Sequence, residues 1–303
     1  MGLTICAIIC THNRDRYLGA AIDSLLNQDL ANYEVLVIDN ASTDTTKAVV
    51  EARLQDTRLR YVYESTLGLS SARNRGFQES QADILAYLDD DAEASVGWLR
   101  SLVEAYQAQE KLAIAGGKVT LIWPEGSQVP NWLNENLMQP LGLYDLGDRP
   151  VNIINPGQTP RGLNYSIRRR FLEVIGGFDP NLGRVGKKLL SNEELFMTEA
   201  ALKEGYEVAY LPEAVVAHNV APERLKASWF IKRGWWQGVS EAYRDELAQR
   251  SLLTKLGRGG ERFVRGSYKT LLNIGNPAQR FDNFVYTYGQ LGYLLTALQG
   301  TKS

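Results

Sequence analysis

Three consecutive aspartates, Asp89, Asp90 and Asp91, follow an apolar run at residues 84–88. A short apolar run predicts a buried β-strand, and open α/β sheets bind ligands at the carboxyl ends of their strands. Three packed carboxylates repel one another, so they need either full solvation or a cation. Their oxygens suit Mg²⁺ or Mn²⁺, which can also hold the phosphates of a substrate. A solvated acidic turn capping the next helix is the alternative, and it is the better explanation for an isolated triplet.

Polar residues also end two other predicted strands. The first strand ends in the segment 11–14, with the sequence Thr-His-Asn-Arg, and the second ends at Asp39. Helix capping alone explains the small polar residues at 42–44. Repeated polar strand ends on one sheet instead indicate a site for a nucleotide base or ribose.

Arg73 and Arg75 lie early in a predicted helix. The positive end of the helix dipole makes this an unfavourable place for cations. Two arginines there suit a surface that meets an anion such as a diphosphate. A solvated helix face is the alternative, and it explains Arg75 better than Arg73.

Strand-like and helix-like segments alternate through the first third of the chain. This βαβαβ order predicts a parallel sheet with helices on both faces. Beyond residue 92 the alternation loosens, with loop-dominated chain at 124–162 and a helical, aromatic end after Pro222. The predicted strands are 4–10, 34–38, 59–63, 84–88, 113–122, 163–167, 207–211 and 214–218, and the predicted helices include 17–28, 98–109, 169–175 and 192–204.

The bulk properties are those of an ordinary globular protein. The chain has 303 residues, a net charge of -2, 22% charged and 44% hydrophobic residues, and nothing in this balance indicates nucleic-acid binding. On one strand, Cys6 and Cys10 are too far apart to form a disulfide. With no signal-peptide pattern and no apolar stretch long enough for a membrane span, the sequence predicts a cytoplasmic protein, with the inner face of the membrane as a further possibility.

Together, the segments 11–14, 37–44 and 72–76 and the aspartate triplet resemble the inverting glycosyltransferases of family 2, in the family's order and approximate spacing. The segments 176–179 and 192–195 and then His218 extend the resemblance, which covers about residues 1–220. It implies an α/β fold of the GT-A type, with a Rossmann-like mixed sheet flanked by helices. The catalytic domain would occupy residues 1–220, and residues 221–303 would form a helical C-terminal extension.

The resemblance also implies a nucleotide-sugar donor, most often a UDP-sugar, bound with Mn²⁺ or Mg²⁺. Asp89 and Asp91 occupy the acidic positions of the family's Asp-X-Asp motif, and Asp91 is the stronger candidate for a direct metal ligand. His218 is a further candidate ligand. The resemblance assigns contacts with the substrates to the remaining residues. The nucleoside would be contacted by Thr11, Asn13, Arg14 and Asp39, the ribose or diphosphate by Arg73, the ribose or donor sugar by Asp90, and the acceptor by Asn164.

The catalytic base is where this sequence departs from the family pattern. The family carries a Glu-Asp pair at a helix start, whereas this chain has Glu193 and Glu194. Glu194 occupies the usual aspartate position with one extra methylene group. We favour Glu194 as the base, with Glu193 as the alternative. A favourable interaction of two acids with the helix dipole would explain why Glu193 and Glu194 lie at a helix start. It would not explain why they follow the other family motifs in the family's order.

The chain after residue 222 carries an excess of positive charge. Residues 223–269 contain eleven Lys and Arg against five Asp and Glu, with several tryptophans. Basic helices with Trp can lie on an anionic membrane surface, which would suit a lipid-linked acceptor. A basic helix packed across an acidic catalytic domain, or a contact between two copies of the chain, explains the same residues, and packing is the favoured explanation.

The sequence thus predicts an inverting, metal-dependent glycosyltransferase in polysaccharide, glycolipid or glycoconjugate synthesis. A sugar nucleotidyltransferase is one alternative, but the chain lacks the Gly-rich phosphate loop of that class after its first strand. An inactive homologue that binds nucleotide sugars is the other, and Glu194 in place of the usual aspartate is the feature that supports it. A dehydrogenase is excluded because no G-x-G-x-x-G motif follows the first strand.

Overall fold

The computed structural model describes residues 2–180 and 193–299. These residues form two compact units. The first comprises residues 2–122, 142–180 and 193–219, and the second comprises residues 123–141 and 220–299. No pattern in the sequence indicated that residues 123–141 belong to the same unit as the C-terminal helices. The predicted functional division at residues 220 and 221 stays a prediction.

The first unit is built on a mixed β-sheet, which confirms the predicted α/β class. The described strands are β1 (Ile5–Thr11), β2 (Glu34–Asn40), β3 (Leu59–Glu64), β4 (Ile84–Asp89), β5 (Ala92–Ala94), β6 (Leu112–Ile122), β7 (Val151–Asn152), β8 (Asn164–Arg168) and β9 (Glu207–Asn219). They are ordered β3-β2-β1-β4-β8-β6-β9-β5 in the sheet, with β7 paired to β9. β1, β2, β3 and β4 are mutually parallel, whereas β8 runs antiparallel to β4.

The apolar runs of the sequence form the central strands because both faces of the sheet are covered by helices. Cys6 to Ile9 in β1 and Val35 to Ile38 in β2 are buried throughout. Burial raises the pKa of the Cys6 and Cys10 thiols to about 12, so both remain protonated. The helices of this unit are α1 (Asp15–Leu26), α2 (Thr46–Glu51), α3 (Leu69–Glu79), α4 (Trp98–Ala108), α6 (Arg169–Ile175) and α7 (Glu193–Lys203), while α5 (Glu135–Met138) belongs to the second unit.

One predicted boundary is wrong. The segments 207–211 and 214–218 were expected to be separate strands, but they form the single strand β9, which passes through Pro212. Its pairing with β6 shifts register between Gly117 and Val119, so an irregularity absorbs the intervening residues. This continuity matters because it carries the chain directly to His218.

Three long helices dominate the second unit: α8 (Ala227–Leu247), α9 (Leu252–Leu272) and α10 (Pro277–Gln299). α8 and α10 approach closely through glycines, since a methyl group on Gly238 would overlap with the carbonyl oxygen of Gly289. Trp132 packs edge-on against Phe230 and Phe281, with ring centroids 5.3 and 4.8 Å away. Among the described helices, none is apolar over enough of its length to cross a bilayer.

Candidate active site

The polar ends of β1, β2 and β4 lie side by side at one edge of the sheet. Thr11 is the register partner of Asp39 across β1 and β2, and Cys10 is the partner of Asp89 across β1 and β4. Because these strands are parallel, their carboxyl ends meet where doubly wound sheets bind ligands. This is the arrangement that the sequence indicated.

Asp39 is held in one orientation at this edge. Its Oδ1 accepts a hydrogen bond from the backbone N–H of Ser42 at 3.0 Å, and its Oδ2 accepts one from the Tyr61 hydroxyl at 2.7 Å. Burial and the bond to Asp39 raise the pKa of Tyr61, so the hydroxyl stays a donor. Sequence reasoning missed Tyr61, because only the pairing of β3 with β2 brings it to Asp39.

Asn13 joins the loops that follow β1 and β2. Its backbone is left-handed, with φ of 54°. Its N–H donates to Ser42 Oγ at 2.9 Å, and its Oδ1 accepts from the Thr43 N–H at 2.8 Å. His12 Nδ1 lies 2.8 Å from the carbonyl oxygen of Asn40, in keeping with a structural role. Nucleoside contacts by Thr11, Asn13 and Asp39 stay predictions.

Asp91, the last residue of the aspartate triplet, is buried beside His218. Asp91 and His218 are each 3% exposed, and Asp91 Oδ1 lies 3.1 Å from His218 Nε2. The backbone fixes this pair, since His218 is the register partner of Ala92 and the Asn219 N–H donates to the Asp91 carbonyl at 2.8 Å. Gly142 packs on the far side of the imidazole, where a methyl group would lie 3.0 Å from His218 Nδ1.

Arg14 lies beside the last two aspartates of the triplet. Its Nη2 lies 3.4 Å from Asp91 Oδ2, and its Nε lies 3.9 Å from Asp90 Oδ1. Burial, together with the neighbouring Asp91 carboxylate, raises the pKa of Asp90 to about 7. The sequence assigned Arg14 to the nucleoside; the structure places it against the acidic cluster, and the nucleoside contact stays a prediction.

The donor atoms at the triplet suit a divalent ion. Asp91 supplies oxygen and His218 supplies nitrogen, a combination that Mn²⁺ accepts. Within residues 2–180 and 193–299, no three His, Cys, Asp or Glu side chains form a ready-made metal cluster. An ion bound by these two side chains would take its other ligands from phosphate oxygens and water, as Mg²⁺ does where it is bound through one or two carboxylates.

The two candidate bases begin α7 and contact a buried arginine. Arg73 Nη2 lies 3.0 Å from Glu194 Oε1, and Arg73 Nη1 lies 3.4 Å from Glu193 Oε1. The Arg73 side chain is 3% exposed, that of Glu193 5% and that of Glu194 15%. Burial alone would lower the pKa of Arg73, but Glu194 and Glu193 raise it above its ordinary value. We call these three side chains the Arg73 triad.

The Arg73 triad is enclosed by aromatic rings and a glycine. The guanidinium lies over Phe178 and Tyr87, 5.4 and 5.8 Å from the ring centroids. A methyl group on Gly162 would overlap with Glu194 Oε1 and lie 2.6 Å from Arg73 Nη2. Sequence reasoning assigned Arg73 to the donor, a contact that stays a prediction, and it missed the contact with Glu194, which joins residues 121 positions apart.

Asn164 lies in the core rather than on an open surface. It is 0% exposed, and its Oδ1 accepts from Trp98 Nε1 at 2.8 Å. Its amide group donates to the carbonyl oxygens of Lys118 and Ala214 at 3.2 and 2.7 Å. Acceptor contact by Asn164 stays a prediction, and the structure gives the side chain a role in joining strands.

Known proteins resemble this chain in sequence and in fold. The family described as glycosyl transferase family 2 matches residues 6–165. A glucosyl-dolichyl phosphate glucuronosyltransferase from Haloferax volcanii is 26% identical over 251 residues, covering 81% of this chain and 78% of its own.

Two solved structures of glycosyltransferases share the fold at low identity. A mannosyltransferase from Pyrobaculum calidifontis, in complex with GDP-Man and Mn²⁺, aligns with a TM-score of 0.58 and 17% identity over 99% of this chain and 77% of its own. GalNAc-T7 with UDP, GalNAc and Mn²⁺ aligns with a TM-score of 0.58 and 20% identity over 80% of this chain and 51% of its own. These likenesses confirm the GT-A fold. Since the family match covers more than half of the chain, the protein belongs to glycosyl transferase family 2 and is a glycosyltransferase.

Proposed function

We propose that this protein is an inverting, metal-dependent glycosyltransferase that moves a sugar from a nucleotide sugar, with a UDP-sugar as the preferred donor, to an acceptor hydroxyl. The observation that carries the proposal is the buried contact of Asp91 with His218, 3.1 Å apart and 127 residues apart in sequence. It lies directly after β4, beside the strand ends where the sheet would receive a nucleotide. A divalent ion held there by Asp91 and His218, with Asp89 as a further ligand, would neutralise charge on the departing diphosphate.

The Arg73 triad would provide the base that accepts the proton of the acceptor hydroxyl. In the proposed reaction the acceptor oxygen forms a bond to the anomeric carbon, and the bond from that carbon to the diphosphate breaks. The electron pair leaves with the diphosphate, the proton of the acceptor hydroxyl passes to Glu194, and attack from the opposite face inverts the configuration. Arg73 keeps the Glu194 carboxylate oriented. A carboxylate held in one position by a buried cation supports an active enzyme over an inactive homologue.

The acceptor is proposed to be lipid-linked or part of a growing glycan. The Haloferax relative is named for a glucosyl-dolichyl phosphate substrate, and we extend that substrate class to this chain. We retain residues 1–220 as the proposed catalytic domain and residues 221–303 as its extension. Membrane association of the extension and self-association of the chain stay predictions.

Donor binding tests the metal site directly. Thermal unfolding should be measured with UDP-, GDP- and TDP-sugars, each with Mn²⁺, Mg²⁺ or a chelator. A ligand at 100 times its Kd raises the free energy of unfolding by about 2.7 kcal/mol, and we expect a rise of that size for a UDP-sugar only when the ion is present. Asp91→Asn should abolish the ion-dependent part, because an amide is a poorer ligand than a carboxylate.

Asp148→Asn is the matched control, since its side chain is 98% exposed on the surface of the same unit. It should behave like the unchanged protein. Equal stabilisation of the unchanged protein with and without the ion would rule out the proposed metal dependence. If Asp91→Asn still bound the UDP-sugar with full dependence on the ion, Asp91 would not be a ligand of that ion.

Gly162→Ala tests whether the position of Glu194 matters. The added methyl group would displace the Glu194 carboxylate and the tip of Arg73, both of which are ends of flexible side chains. We therefore expect the fold to persist while kcat falls about 100-fold, the effect of an ångström-scale misplacement of a catalytic group. Gly157→Ala is the control, because its methyl group would meet nothing nearer than 3.3 Å. An unchanged kcat in Gly162→Ala would show that the observed Glu194 position is not needed for turnover.

A further inference from the structure

Helix α9 presents large apolar side chains to solvent along one side. Val264 is 67% exposed, Tyr268 62% and Leu271 67%. At 1.5 Å per residue the series from Leu253 to Leu271 is roughly 27 Å long, and its spacings of 11, 4 and 3 residues keep it on one side of the helix. We call this set the α9 apolar face; it comprises Leu253, Val264, Tyr268, Leu271, Leu272 and Ile274, the last just beyond the helix end.

The opposite side of α9 is the one that packs inside the unit. Gly259 and Gly266 are buried there, and methyl groups on them would lie 2.6 Å from Leu294 and overlap with Thr287 of α10. α9 also turns its cations toward acids of α8: Lys255 to Glu246 at 2.5 Å, Arg258 to Asp245 at 3.3 Å and Arg262 to Glu241 at 3.0 Å. A surface helix normally buries its apolar side chains, whereas α9 leaves those of the α9 apolar face exposed.

The exposed charges of α9 and of the start of α10 are mainly positive. Between residues 247 and 281 the sequence has seven Lys and Arg and one acid, Glu261. Four of these cations, at 250, 265, 269 and 280, are exposed, and Arg250 pairs with Asp245 at 2.8 Å. Glu261 is 3.1 Å from Arg265, so it offsets part of that charge. The stretch from α9 to the start of α10 thus combines an apolar face that carries a tyrosine with several exposed cations.

We propose that the α9 apolar face lies in the surface of an anionic lipid bilayer. Leu and Val side chains would enter the acyl boundary, Tyr268 would lie at headgroup depth, and Lys269 and Arg280 would meet lipid phosphates. A second copy of this chain fits the same face less well. A two-fold contact along α9 would bring two sets of these cations together around one apolar strip, with only Glu261 to offset them.

Binding to vesicles tests the proposal without donor or acceptor, so it can fail independently of the proposed reaction. The full chain should sediment with vesicles of phosphatidylcholine and phosphatidylglycerol at 3:1, less so with phosphatidylcholine alone, and less so as salt is raised. Lys269→Gln with Arg280→Gln should weaken binding to the anionic vesicles roughly thirtyfold, since each cation near such a surface contributes about 1 kcal/mol. Val264→Glu with Leu271→Glu should abolish binding to both kinds of vesicle.

Ile154→Glu with Val174→Glu is the matched control, because these residues are 80% and 65% exposed on the first unit. It should bind like the unchanged protein, and circular dichroism should show all variants folded. The proposal would be overturned if the unchanged protein did not sediment with anionic vesicles at low salt. So would a dimer in solution that Val264→Glu with Leu271→Glu makes monomeric without altering sedimentation, since that result would assign the face to a second copy.

Discussion

Replacing Glu194 by Gln is expected to lower kcat by about 10²–10⁴-fold, the usual contribution of a general base. The amide keeps the shape of the side chain, and its oxygen can still accept a hydrogen bond from Arg73 Nη2, which lies 3.0 Å from Glu194 Oε1. It cannot take a proton from the acceptor. Single-turnover rates at saturating donor and acceptor should show the loss, while ion-dependent stabilisation by the donor stays unchanged.

Two controls separate the base from its neighbours. Glu199→Gln changes an exposed carboxylate on the same helix and should leave kcat within twofold. Glu193→Gln should reduce kcat less than Glu194→Gln does, because the Glu193 side chain is 5% exposed and that of Glu194 is 15%, so Glu194 is the more accessible to an acceptor. A larger loss in Glu193→Gln than in Glu194→Gln would transfer the role of base to Glu193.

The parallel half of the sheet could be predicted because its signals are local. β1, β2 and β4 are apolar runs that end in polar residues, and the alternation with helices requires parallel pairing. Parallel pairing then brings Thr11 beside Asp39 and Cys10 beside Asp89. The position of the nucleotide edge therefore follows from three short segments and one topological rule.

The interior contacts of the site could not be predicted, because they depend on which distant strands become neighbours. β8 pairs antiparallel with β4, and this places Asn164 beside Leu88, inside the sheet. The same residues could form an exposed loop or the start of a buried strand, and the sequence alone does not distinguish the two. The same limit applied to Arg73, whose charge indicated an anion but not that two glutamates would be its partners.

The C-terminal helices show how an amphipathic pattern can mislead. The sequence favoured a basic helix packed across an acidic catalytic domain, and that packing stays a prediction. Lys255, Arg258 and Arg262 of α9 pair with acids of α8 in the same unit. An amphipathic helix generally turns its apolar side to the core. Buried glycines take that place instead, because they allow α9 to approach α10 closely. A periodic pattern identifies the two sides of a helix but not which of them is covered.

Arg73 stands out because it joins the candidate base to the core at a high electrostatic cost. Its guanidinium is desolvated and needs the carboxylates of Glu193 and Glu194, just as they need it. We expect Arg73→Met to lower the free energy of unfolding by about 3–5 kcal/mol, the typical cost of removing one partner of a buried ion pair. The methionine fills part of the volume, so most of the loss reflects carboxylates deprived of their cation.

Arg75→Met provides the comparison, since Arg75 lies on the same helix with a side chain 38% exposed and pairs with Glu79 across one turn. Such a surface pair contributes about 0–1 kcal/mol, so urea unfolding should hardly change. Adding Glu193→Gln and Glu194→Gln to Arg73→Met should restore part of the lost stability, because neutral amides tolerate burial better than carboxylates do. If Arg73→Met unfolds at the same urea concentration as Arg75→Met, the triad contributes nothing to stability, and Arg73 must then be retained for contact with the substrate.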